Sequence, residues 1–76
     1  MAFERITINP KQMGGLPCIR GLRLPVTTVI GQLAAGRTHD QILADFPDLE
    51  EADIYAALEY AAAAVQEREL PAVAEG

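Results

Sequence analysis

A run of glycine, proline and arginine residues, GGLPCIRGLRLPV at positions 14–26, most constrains what this chain can fold into. Glycine readily adopts positive φ, and each proline holds φ near about −65° while it pushes the residue before it toward extended conformations. The run therefore predicts an extended arm with turns and no helix. Apolar residues alternate with the arginines, so we expect the apolar side chains to face a core while the guanidinium groups reach water. The apolar residues are Ile19, Leu22 and Leu24.

The residues before the arm predict a β-strand over positions 3–8. Ile6 and Ile8 are two positions apart, which is the period of a half-buried strand, and an asparagine-proline pair then ends it. One strand cannot satisfy its own backbone, so it must pair either with residues 22–26 or with a second copy of the protein. The sequence leaves both alternatives open, and in the second one Ile6 and Ile8 lie at a dimer interface.

Two short helices are predicted after the arm. We expect Thr27 to cap the first helix and Gly36 to terminate it. Thr38 and Gln41 have the spacing of a capping box, which opens the second helix, and Pro47 stops that helix. The residues expected to face the core are Val29, Ile30, Leu33 and Ala34 in the first helix and Ile42, Leu43 and Phe46 in the second.

A third, longer helix is predicted over residues 50–69, with one apolar stripe facing the core. Between Ile54 and Val65 only Glu59 is charged, and a helix that is apolar on nearly all sides is normally covered on nearly all sides. Two other helices cannot provide that cover, so we predict a second face in contact with another copy or another protein. The alternative is that good helix formers are simply left in water. The core stripe is Ile54, Ala57, Leu58, Ala61 and Val65, and the second face is Ala56, Tyr60, Ala63 and Ala64.

The length of 76 residues indicates one domain, in which residues 1–26 form the strand and arm, residues 27–70 the three-helix unit and residues 71–76 a flexible tail. A core in so small a chain rarely contributes more than about 3–5 kcal/mol, so we expect self-association or a partner. No leader pattern and no apolar run of the roughly 18 residues that a membrane span needs are found, which predicts a cytoplasmic protein without a membrane partner.

Catalytic and metal-binding constellations are not found in the sequence. Cys18 is the only cysteine and His39 the only histidine, so one chain cannot assemble a zinc site or a Cys-His pair. We therefore predict a protein that is not an enzyme, that needs no cofactor or metal, and in which Cys18 is buried and structural.

Charge is divided unevenly along the chain, whose net charge is −5. Residues 1–37 carry five basic side chains and one acidic, whereas residues 38–76 carry one basic and ten acidic. The second and third helices form a helix-turn-helix pattern, but the third begins with Glu50, Glu51 and Asp53, which phosphate groups repel. Nucleic-acid binding would then depend on basic residues elsewhere, and the alternative is that these only face solvent or pair with the acidic helices. The basic residues are Lys11, Arg20, Arg23 and Arg37.

Further motifs follow the arm: LAAG at 33–36, FPDL at 46–49 and DIYAALEYA at 53–61. From about residue 3 to residue 64 the chain resembles the small bacterial proteins of domain-of-unknown-function family 433. The resemblance implies a mostly α, homeodomain-like three-helix fold with an N-terminal strand, and a dimer. For several members it implies an antitoxin that binds a PIN-like ribonuclease toxin and sometimes operator DNA.

Three positions depart from the family pattern. Leu16 stands where a lysine is common, and Leu22 stands where threonine usually precedes the second arginine. The arm is therefore less polar than the family implies, which weakens the expectation of DNA binding. Glu50 replaces the customary Ser or Thr that caps the third helix, and it adds negative charge there.

Two functional hypotheses of different class follow. The first is an antitoxin-like, non-catalytic interaction protein that forms a homodimer, binds a PIN-like ribonuclease toxin and regulates its own operon. The second is a free-standing helix-turn-helix DNA-binding transcriptional regulator. Neither hypothesis requires a small-molecule substrate.

Overall fold

Three helices follow a short antiparallel hairpin in the part of the chain that the structure describes. It is a computed structural model in which residues 3–67 and Ala72 are described. The strands are β1 (Ile6–Ile8) and β2 (Pro17–Ile19), and the helices are α1 (Val26–Ala34), α2 (His39–Asp45) and α3 (Glu51–Glu67). This confirms the predicted mostly α, three-helix fold with an N-terminal strand. The predicted last turn of the third helix, residues 68–70, and the tail apart from Ala72 lie outside the described residues.

The N-terminal strand pairs within the chain, at residues that precede the segment 22–26. β1 and β2 are antiparallel, with Thr7 opposite Cys18, so the alternative in which residues 22–26 pair with this strand is not found, and pairing with a second copy stays a prediction. The chain turns back earlier because Gly14 and Gly15 adopt φ values of +63° and +82° within the 3₁₀ turn Met13–Gly15. The rest of the arm, residues 20–26, lies on the other side of β2, where the amide of Ile19 donates to the carbonyl of Leu24 at 3.0 Å.

The apolar residues of the arm face the core as predicted. Ile19 is fully buried, and Leu22 and Leu24 are partly buried against the core. Cys18 is also buried, with 2% of its surface exposed, and its thiol donates to the carbonyl of Leu16 at 3.4 Å. The prediction of a buried Cys18 is thus confirmed.

Helix α1 begins one residue before the predicted Thr27 cap. Its N-cap is Pro25, which has no side-chain hydrogen bond to offer and whose carbonyl accepts the amide of Thr28 at 3.0 Å. The helix starts there because Pro25 bridges Cys18 of β2 and so fixes where the arm ends. At the other end Gly36 adopts a φ of +84°, its amide donates to Leu33, and the next amide reaches back to Gln32. These are the two bonds of a Schellman motif, so the predicted glycine stop is confirmed.

Helix α2 begins with the predicted capping box. The Thr38 hydroxyl accepts the amide of Gln41 at 3.1 Å, and the Gln41 side chain accepts the amide of Thr38 at 2.9 Å. Ile42 is fully buried, and Leu43 and Phe46 pack against the core, as expected.

Helix α3 supplies Ile54 and Ala57 to the core, as the stripe predicted. Leu58 and Val65 belong to the same predicted stripe but are 40% and 57% exposed. That part of the prediction was wrong because the hairpin and the two shorter helices cover only one side of α3. At about 1.5 Å per residue its 17 residues also extend beyond α1, which has nine.

Candidate functional site

A fully buried carboxylate, Asp53, lies in the first turn of α3 and collects hydrogen bonds from three directions. Arg20 donates from Nε to Oδ1 at 3.0 Å and from Nη2 to Oδ2 at 2.9 Å. Arg5 donates from Nη1 to Oδ1 at 2.9 Å, and the amide of Glu50 donates to Oδ2 at 2.9 Å. The Asp53 side chain has no exposed surface. The hairpin, the arm and α3 are therefore tied together at one carboxylate.

The charge state of Asp53 follows from these bonds. Burial acts to raise the pKa of the carboxyl, but hydrogen bonds from Arg20, from the Glu50 amide and from Arg5 outweigh it and hold the pKa below its ordinary value. The pKa of Arg20 is raised by its hydrogen bond to Asp53, and that of Arg5 by its bonds to Glu50 and Asp53. Asp53 is therefore ionised at neutral pH and neutralised by its two partners.

Two of the four predicted nucleic-acid-binding residues are engaged inside the chain. Arg20 adopts a φ of +43° and also donates to the carbonyl of Asp48 at 2.6 Å. Arg37 forms an ion pair with Asp45 and donates to Gln32 at 2.7 Å. Both arginines therefore pair with acidic residues of the helices, which is the alternative to nucleic-acid binding that the sequence left open. Lys11 and Arg23 are exposed, and a role of these four residues on nucleic acid stays a prediction.

Sequence reasoning missed the role of Asp53. We took it, with Glu50 and Glu51, as one of three exposed acids at a helix start, whereas it is the buried centre of the cluster. A signal was present, because Asp53 stands three residues after the N-cap position, from which a carboxylate can reach back to the N-cap amide. That signal could not say that two arginines would converge on the same group.

The solvent side of α3 carries two large apolar side chains next to acids. Tyr55 is 52% exposed and Leu58 is 40% exposed, and they lie three positions apart on one side of the helix. The ring of Tyr55 packs edge to face on His39 of α2, with centroids 5.4 Å apart. Glu51 and Glu59 are exposed on the same side of the helix. We call the surface formed by Glu51, Tyr55, Leu58 and Glu59 the outer face of α3.

A second surface is a groove of about 420 Å³ between α1 and the C-terminal half of α3. Its lining is almost wholly apolar, and the described residues that form it carry no charge. Gly31 lies in its α1 wall with open space where a Cβ would be, and Val65 stands exposed in its α3 wall. We call this surface the α1–α3 groove.

The predicted second face of α3 is divided between different surroundings. Tyr60 is half-buried and packs edge to face on Phe3 at 5.2 Å between ring centroids, so the chain's own N-terminal segment lies against it. Ala56, Ala63 and Ala64 each line a surface depression together with Phe3, and Tyr60 and Ala64 also line the α1–α3 groove. In the hairpin, Ile6 packs on the core and Ile8 is 59% exposed. An interface role for these six residues stays a prediction.

Residues 3–67 contain no group of three metal-ligating side chains close enough to hold an ion. His39 lies with its Nδ1 3.6 Å from an oxygen of Glu51, on the surface beside Tyr55. Over the same residues, each helix is too short or too polar to cross a lipid bilayer.

Comparison with known proteins places this arrangement in a family. The family model described as "Protein of unknown function (DUF433)" matches residues 6–61. The chain belongs to the DUF433 family. The match includes the arm, the capping box of α2 and Asp53, so the resemblance seen in the sequence is confirmed. The family description names no activity.

Two relatives agree with this assignment. The crystal structure of a DUF433 member protein from Anabaena variabilis superposes with a TM-score of 0.78 at 31% identity, over 84% of this chain and 63% of that one. "Uncharacterized protein y4eO" of Sinorhizobium fredii is 39% identical over 62 residues, which are 82% of this chain and 28% of that protein. This chain therefore spans less than a third of that relative and about three fifths of the solved one.

Proposed function

We propose that this DUF433 member is an antitoxin-like, non-catalytic interaction protein that pairs with itself and holds a PIN-like ribonuclease toxin on the outer face of α3. The observation that carries the proposal is the exposed pair Tyr55 and Leu58 flanked by Glu51 and Glu59. Aromatic and large apolar side chains provide the anchors of protein interfaces, and an acidic rim selects a basic partner.

The charges of the chain favour a basic protein partner over DNA. A ribonuclease must bind the phosphates of its substrate with a basic surface, and an acidic face resembles that substrate electrostatically. The net charge of this chain is −5, and three of its arginines, Arg5, Arg20 and Arg37, are already paired with its own carboxylates. Phosphate binding would therefore rest mainly on Lys11, which precedes the arm, and on Arg23 within it. In this proposal, regulation of its own operon would depend on contacts of these two residues with the phosphates of operator DNA.

A non-catalytic role fits the surroundings of the reactive side chains. The single thiol, Cys18, is buried in β2 and hydrogen-bonded to a backbone carbonyl. His39 is the single histidine and packs edge to face on Tyr55. Neither group is arranged as a nucleophile with its base.

The test is co-expression of the chain with a PIN-like ribonuclease encoded by a neighbouring reading frame. We expect the two proteins to co-purify and the cleavage of RNA by the nuclease to fall. Leu58→Lys should abolish both effects, because it places a cation where a basic partner docks. Ala44→Lys is the matched control, since Ala44 is exposed on α2 and the same charge there should leave binding intact. Recovery of the chain without the nuclease, or equal binding by both variants, would overturn the proposal.

A further inference from the structure

The α1–α3 groove has the features of a helix-packing surface that is left open in the single chain. Its walls are the apolar or small residues Ile30 and Gly31 on α1 and Ala61, Ala64 and Val65 on α3, with Pro17 at one end. No charged side chain occurs in the α1 segment 26–34 or in the α3 segment 60–66. Interfaces are depleted of charge at their centres in the same way.

The groove contains both halves of a complementary contact. At Gly31 an added Cβ would meet nothing within 4 Å, so the α1 wall has a gap. Val65 on the opposite wall is 57% exposed, so the α3 wall has a protruding apolar side chain. A surface with a gap and a protrusion of matching chemistry can pack against an identical surface across a two-fold axis, because each copy then fills the gap of the other.

Charge decides which occupant fits. A second copy also carries a net charge of −5, so contact through acidic faces would be repulsive, and only an uncharged face lets two copies approach without that penalty. A basic partner would gain nothing from an uncharged groove, and the outer face of α3 suits it better. From this geometry we infer that a second copy of this chain docks on the α1–α3 groove, with Val65 of each copy packed over Gly31 of the other.

This inference rests on the self-pairing part of the proposed function and adds the surface, the symmetry and the contact residues. The two proposals use different faces, so their failures can be told apart. Gly31→Glu should separate the copies and leave binding of the ribonuclease unchanged, whereas Leu58→Lys should do the reverse.

The first experiment measures self-association of the full chain by sedimentation over a range of concentrations. We expect a dimer of twice the 8.2 kDa chain mass, and we expect Gly31→Glu to weaken it about 100-fold or more, since each interface would then bury an unpaired carboxylate. Ala44→Glu is the matched control, because it adds the same charge to an exposed helix position outside the groove. Circular dichroism should show both variants folded, since the substituted side chain at either site enters solvent.

The second experiment tests the contact itself by mixing two variants. Gly31→Glu and Val65→Lys should each fail to self-associate, but a mixture should form a heterodimer in which the new carboxylate of one copy meets the new ammonium of the other. A merely destabilised fold cannot give this rescue.

Three outcomes would overturn the inference. A chain that stays monomeric at every concentration shows that a second copy does not fill the groove. A loss of stability in Gly31→Glu that is independent of concentration indicates a segment of the same chain as the occupant, since helix propensity alone would raise stability. A dimer that neither variant weakens places the interface elsewhere.

Discussion

Arg20 and Asp53, which lie 33 positions apart, form a two-pronged ion pair in which Nε and Nη2 of the arginine meet the two carboxylate oxygens at 3.0 and 2.9 Å. The carboxylate is fully buried, whereas the arginine side chain keeps 35% of its surface exposed. Because Arg5 shares the same carboxylate, one acid at the start of α3 orders the hairpin and the arm at once. The clearest predictions for stability concern these groups.

Asp53→Asn should lower the free energy of unfolding by roughly 3 kcal/mol, because two arginines and a backbone amide lose their common anion. The matched control is Asp48→Asn, since the Asp48 side chain is exposed, and its change should stay within about 0.5 kcal/mol. Urea unfolding followed by circular dichroism measures both. Equal losses in the two variants would show that the buried ion pair contributes little.

The acid sensitivity of folding should depend on Asp53. Its pKa is lower in the folded chain than the ordinary value of about 3.9, so its contribution is complete above pH 4 and disappears as the pH falls through the folded pKa. The difference in unfolding free energy between the native chain and Asp53→Asn should therefore shrink as the pH is lowered from 6 to about 2. A constant difference over that range would contradict the assignment of the depressed pKa.

Arg20→Ala should destabilise the fold by about 2 kcal/mol or more, because it leaves a buried carboxylate with one arginine fewer. Arg23→Ala removes an exposed arginine from the same arm and should change stability by less than about 0.5 kcal/mol. Chemical unfolding of both variants measures the two changes in the free energy of unfolding. If the chain binds DNA through the arm, the still-folded Arg23→Ala should bind DNA more weakly than the native chain in a mobility-shift assay. The affinity of the native chain should fall as salt is added.

Two glycines should respond to alanine with opposite signs. Gly36 ends α1 at a φ of +84°, so Gly36→Ala should cost about 1–2 kcal/mol for placing a Cβ in the left-handed region. Gly31 lies inside α1 with open space around it, and Gly31→Ala should raise the stability of the single chain by roughly 1 kcal/mol through helix propensity. Thermal unfolding at a concentration too low for self-association separates the two, and a shared sign would show that one conformation is misassigned.

The local features of the fold were predictable because each depends on residues close in sequence. Thr38 and Gln41 form their capping box across three positions, and Gly36 stops α1 because glycine alone adopts that conformation freely. The glycines of the arm predicted its turns for the same reason. Family membership was also readable, since the motifs that carry it are contiguous and short.

Other features required the assembled chain, because they depend on which distant residues meet. Periodicity showed that α3 is apolar on several sides, but only the placement of α1, α2 and the hairpin on one side of it decides that Ile54 is buried and Leu58 exposed. The sequence places most basic side chains in one half of the chain and most acidic ones in the other. The tertiary structure determined that Arg20 and Asp53 form a pair while Lys11 does not share that carboxylate.

The sequence by itself therefore determined the local elements and the family, through short-range backbone and capping preferences. Only the tertiary structure decided the partner of β1, the burial of Asp53 and the open α1–α3 groove, because long-range packing selects among contacts that local preferences allow equally.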